Sequence, residues 1–280
     1  MLWRGRSGSS NVEDRRGVSA GGIATGGGLI GLVVYLLYSF LGGDPSQLPD
    51  LNSMQSDKQL STEHTAEEDT MAQFVSVVLA ETENVWGKIF ADHGMQYQNP
   101  TLVLFRDQVQ SGCGNAGAES GPFYCPADQK LYIDLSFYEE LKNRFHASGD
   151  FAMAYVIAHE VGHHVQNLLG VSDKMQRLRE RVGEKEYNKY SVKLELQADY
   201  YAGVWAHYAD KQTHIVEEGD IEEALNAASA VGDDNIQKQS RGYVVPDAFT
   251  HGTSEQRQTW FYNGYKYGDM DHGNTFEAEL

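Results

Sequence analysis

Positive charge is scarce in this sequence. Its 22 Lys and Arg residues face 40 Asp and Glu, for a formal net charge of −18, and no Lys/Arg cluster occurs beyond the first sixteen residues. Nucleic-acid binders need a basic footprint to displace counterions from phosphates, so no nucleic-acid partner is expected. The acidity is spread along the chain and reads as a well-solvated surface. Cysteine is nearly absent as well. Only Cys113 and Cys125 occur, and the segment between them is rich in Gly with one Pro. A disulfide between them, closing a short irregular loop in an oxidising compartment, is expected, with two free thiols in the cytosol as the alternative. No internal repeat or low-complexity run appears. With 280 residues and 41% hydrophobic content the chain can bury a sizeable core.

A third absence is local. No charged residue occurs from Gly17 to Gly43, and the apolar density peaks over Leu29–Leu41. About twenty residues cross the hydrocarbon core as a helix, and 18–41 supplies them. The stretch is long for a signal-peptide h-region and lacks a convincing cleavage site, so an anchor is preferred to a signal or a Gly-rich core helix. Arg4, Arg6, Arg15 and Arg16 precede it, and Asp44, Asp50 and Asp57 follow. The positive-inside rule then gives a cytoplasmic N-terminus (1–17), a single transmembrane anchor (18–41) in a bacterial inner membrane, a polar linker (42–65) and an extracytoplasmic domain (66–280).

Within that domain, helical spacing covers 66–93. Strands are expected at 101–105, 123–125 and 130–135, the last two joined by a turn at 126–129. Helices are expected at 136–145, 151–169, 173–182, 184–210, 220–239 and 254–267. The fold class is α+β, mostly helical with a small sheet.

The chemistry concentrates in His159-Glu160-Val161-Gly162-His163. On a helix, residues four apart share a face, so the two imidazoles can grip one ion. Zn2+ suits imidazole ligands and keeps a position for water, and Glu160 is near enough to take that water's proton. Glu195 and Asp199, also four apart, lie on an otherwise apolar helix where unpaired carboxylates would be costly. Glu195 is therefore the expected third ligand. Asp199 is expected to accept the outer N–H of His159 and fix its tautomer.

His-Glu-x-x-His followed by Glu-x-x-x-Asp resembles the gluzincin peptidases. More closely, the chain resembles the bacterial neutral zinc metallopeptidase family. The likeness runs through Gly-Pro-Phe-Tyr-Cys125-Pro-Ala-Asp, the His159 motif, Glu195-Leu-Gln-Ala-Asp199 and His251-Gly-Thr-Ser-Glu-Gln-Arg257. It implies a zincin-like fold, peptide or protein substrates and zinc-dependent hydrolysis. His251 is similar to the gluzincin histidine that steadies the oxyanion. Arg257 would hold a carboxylate or bind substrate. By analogy with zincins, Lys130–Leu135 would be the edge strand on which an extended peptide lies. A zinc-containing envelope module without hydrolytic activity is the alternative. His164, one step off the ligand face, is expected to make a structural hydrogen bond. Oligomeric state has no signature in the sequence.

Overall fold

Thr65-x-x-Glu68 ahead of a helical apolar pattern is a capping-box signature. In the computed structural model, which describes residues 1–17 and 65–280, that pattern forms α1 (Ala66–Asp92). The Thr65 hydroxyl accepts the Glu68 amide hydrogen, and the Glu68 carboxylate accepts that of Thr65. Phe74, Val78, Trp86 and Phe90 are buried along its length. The expected anchor, and the linker up to residue 64, lie outside the described residues. Among those described, no helix is long and apolar enough to cross a membrane.

The strands are β1 (Val12–Asp14), β2 (Thr101–Phe105), β3 (Gln108–Ser111), β4 (Gly114–Gly117), β5 (Phe123–Cys125) and β6 (Lys130–Asp134). β3 and β4 make a separate antiparallel hairpin, and the others form one sheet in the order β1-β2-β6-β5. β1 and β6 run parallel to β2, and β5 runs antiparallel to β6.

Two expectations change here. Residues 1–17, read from their arginines as a tail apart from the domain, instead add β1 to the sheet and bury Trp3 against Phe74. Unpaired edge groups on β2 and an aromatic side chain outweigh the solubility of a charged tail. Lys130–Leu135 is not the edge strand either. β6 lies between β2 and β5, and Leu131, Tyr132 and Ile133 are consecutive buried residues, as in an interior strand. On that side of the sheet the edge is β5.

The helices that follow are α2 (Phe137–Asn143), α3 (Asp150–Leu168), α4 (Val171–Arg179), α5 (Glu184–Lys211), α6 (Asp220–Ala230), α7 (Asp233–Arg241) and α8 (Ser254–Tyr267). α3 is buried almost all round from Phe151 to Gln166, which makes it the central core helix. Glycines let its neighbours come close. A Cβ on Gly162 of α3 would lie 2.8 Å from the Ala198 carbonyl oxygen of α5. Between α5 and α8, a Cβ on Gly203 or Gly264 would lie 2.0 Å from a carbonyl oxygen of the facing helix. The single helix expected over 220–239 is broken before Asp233. There the Gly232 backbone meets Ser254, and a Cβ would stand 2.4 Å from the Ser254 nitrogen.

Candidate metal centre

α3 presents His159, Glu160 and His163, and the close crossing at Gly162 brings Glu195 of α5 to them. His159 Nε2 lies 3.1 Å from Glu195 Oε2, and His163 Nε2 lies 3.5 Å from Glu195 Oε1. One ligand atom from each of the three residues falls within 4.8 Å of the other two. Tetrahedral donors bound at zinc distances stand about 3.3 Å apart, so the donor set suits zinc in both chemistry and spacing.

The outer ring nitrogens are both held. His159 Nδ1 donates to Asp199 Oδ1 at 2.8 Å, as its spacing from Glu195 predicts, and His163 Nδ1 donates to Gln166 Oε1 at 2.8 Å. Gln166 is in turn fixed by donating to the Leu194 carbonyl. These bonds turn Nε2 of each imidazole towards Glu195. Gln166 was missed from the sequence, although it sits three residues beyond His163 on the same helical face.

Asp199 accepts three further hydrogen bonds. Tyr155 Oη donates to Oδ1 at 2.6 Å, while Arg257 donates through Nε to Oδ2 at 2.8 Å and through Nη2 to Oδ1 at 2.9 Å. Of the two roles read for Arg257, the structure shows the first, since its guanidinium clamps a carboxylate. Tyr155 lies four residues before His159, a spacing that could have flagged it.

The protein's own charges set the protonation pattern. Burial opposes a charged Asp199, but the charges of Arg257 and His159 bring its pKa down to about 2. Burial would likewise lower His159, yet the charge and hydrogen bond of Asp199 and the bond to Glu195 lift it to about 10. Glu195 is held well below the carboxylate range against its burial by His163 and His159. Glu160 goes the other way. Burial raises its pKa, with the His163 and His159 charges opposing. A buried carboxylate with a raised pKa is suited to taking and returning a proton.

His251 lines the same cleft, of about 510 Å³, as His159, Glu160, His163 and Glu195. Its ring is half-exposed, and Nδ1 lies 3.2 Å from Asp233 Oδ1. Asp233 Oδ2 accepts the backbone N–H groups of Thr250, His251 and Gly252 at 2.6–3.0 Å, so one carboxylate fixes both loop and ring. Asp233 was also missed, and only the helix break before it places it there. Thr253 caps α8 through a second capping box with Gln256. His164 is structural. It donates from Nε2 to the Gln98 carbonyl at 2.6 Å and accepts from Tyr124 at Nδ1 at 3.0 Å, which ties β5 to α3.

Residues 119–124 also line the cleft, with Phe137, Phe145 and, on α3 itself, Val156 adding apolar surface. β5 is held at Cys125 by the Cys113–Cys125 disulfide. A second acidic group, Asp150, Asp220 and Glu223, lies away from the cleft, and the Met1 ammonium sits beside Asp150 and Asp220.

Residues 1–276 match the family described as "Putative neutral zinc metallopeptidase". The chain belongs to that family. It is 49% identical over its whole length, and over the whole of the relative, to the Escherichia coli (strain K12) protein named "Uncharacterized protein YpfJ". It is 47% identical over 192 residues to the Mycobacterium tuberculosis (strain H37Rv) protein named "Uncharacterized protein Rv2575", covering 65% of this chain and 64% of that one. No solved structure matches the chain.

Proposed function

We propose that this protein is a zinc-dependent metallopeptidase, with His159, His163 and Glu195 as metal ligands and Glu160 as general base. The convergence of two imidazoles and a carboxylate beside a buried Glu160, in one cleft, carries the reading. The ion's contribution, when bound, is Lewis acidity towards the scissile carbonyl and the attacking water.

The chain's residues do the rest. Glu160 takes the proton from water as its oxygen bonds to the carbonyl carbon, then delivers it to the nitrogen as the C–N bond breaks. His251, steadied by Asp233, donates to the oxygen on which negative charge develops. Asp199, clamped by Arg257 and Tyr155, keeps His159 in the tautomer that leaves Nε2 free. An extended substrate segment lies along the β5 edge, which borders the cleft. Bilayer attachment through 18–41 and an extracytoplasmic domain belong to the same reading, supported by the uncharged stretch and by the disulfide.

Glu160→Gln tests the assignment. The variant is expected to keep its zinc while cleavage of a denatured protein substrate falls by roughly 10²-fold or more. Cleavage at the wild-type rate would remove Glu160 from the mechanism.

A further inference from the structure

We infer that residues 1–17 and the domain of residues 65–280 occupy the same side of any membrane the protein meets. The contacts between them are many and short. Arg6 donates through Nη1 to Glu81 Oε1 at 3.0 Å and through Nη2 to the Thr213 carbonyl at 2.7 Å. Ser9 Oγ and Asn11 Nδ2 both donate to Glu83 Oε1 at 2.8 Å. Val12–Asp14 pair in parallel with Leu102–Leu104, and the Arg15 N–H donates to the Leu104 carbonyl at 2.8 Å. Trp3, 7% exposed, meets the Phe74 ring edge-on at 5.4 Å. Gly8 passes so near α1 that a Cβ there would stand 2.3 Å from Ser76 Oγ. The grip thus runs from Trp3 to Arg15 and engages α1, β2 and the chain after α5.

The arginines that suggest a cytoplasmic tail have another purpose in this fold. Arg6 pairs with Glu81, Arg15 with Glu13, and Arg16 with Asp14 and Asp69, while the Arg4 guanidinium lies 4.8 Å from the Trp3 ring centre. Arg16 is only 6% exposed. Guanidinium groups engaged in this way are explained by folding and need no cytoplasmic address.

The hydrocarbon core is about 30 Å thick, so none of these contacts can form across it. A chain that crossed once between residues 17 and 65 would leave the partners of every contact on opposite faces. Returning takes a second apolar stretch of about twenty residues, and 42–64 carries Asp44, Asp50, Asp57, Lys58 and Glu63. With an extracytoplasmic domain, the first seventeen residues are extracytoplasmic too.

The test uses the full chain in bacterial spheroplasts and measures no cleavage, so it stands or falls apart from the zinc mechanism. Ser7→Cys and Lys211→Cys place thiols at exposed positions on the two parts. Labelling by a membrane-impermeant maleimide, counted above the wild-type chain, is compared before and after permeabilisation. The inference expects the two variants to behave alike, both reacting at once or both only after permeabilisation. Labelling of Lys211→Cys in intact spheroplasts, with Ser7→Cys reacting only after permeabilisation, would overturn it.

Discussion

Asp199 shows how the centre is held, because four hydrogen bonds from three residues converge on its two oxygens. The Arg257 charge keeps it ionised, and an ionised Asp199 favours a proton on His159. Zinc binding has to displace protons that these carboxylates hold on the histidines, with His159 at about 10. A base must be freed for the metal, so affinity falls as pH falls. Zinc affinity measured by chelator competition is expected to rise with pH between 6 and 8, by about tenfold per pH unit for each proton displaced. A flat profile over that range would contradict the proton competition. Gln166 and Tyr155 were legible in principle, since each sits at a helical spacing from a ligand histidine. Asp233 was not, because its link to His251 is made through space, from the start of α7 to the loop before α8.

Among the elements, α3, α5 and α8 build the site through close backbone approach. Gly264→Ala would put a methyl group 2.0 Å from the Tyr200 carbonyl oxygen, and that backbone has to move. A loss of about 1–3 kcal/mol is expected from the shift in denaturation midpoint. An unchanged midpoint would mean that α5 and α8 are not packed as described. Long periodic helices were the readable part of the sequence. α8 begins and ends where its pattern does, α1 and α5 begin where expected and end one residue away, and α3 is shifted by one residue at both ends. The break between α6 and α7 was hidden because helical spacing continues on both sides, and the reason for it, Ser254 against Gly232, lies in another part of the chain. β1 gave no strand signal either. Val-Glu-Asp is too short for an alternation, and the free edge of β2 is what orders it.

For the molecule as a whole, the amino-terminal residues complete the domain. Trp3 fills a place against α1, so Trp3→Ala is expected to cost about 3–5 kcal/mol in denaturant unfolding of the full chain. A cost below about 1 kcal/mol would mean that the segment is only loosely attached. The sequence brought the candidate metal ligands together because helical geometry ties side-chain spacing to side-chain direction. It misplaced the edge strand because sheet order depends on pairings that no local pattern encodes. The central claim, that His159, His163 and Glu195 hold a zinc ion, is tested most directly by the zinc content of the full-length protein and of its Glu195→Ala variant. One zinc per chain in the wild type, lost or sharply weakened in the variant while the fold persists, is the predicted result. No zinc in the wild type, or equal retention in both, would contradict it.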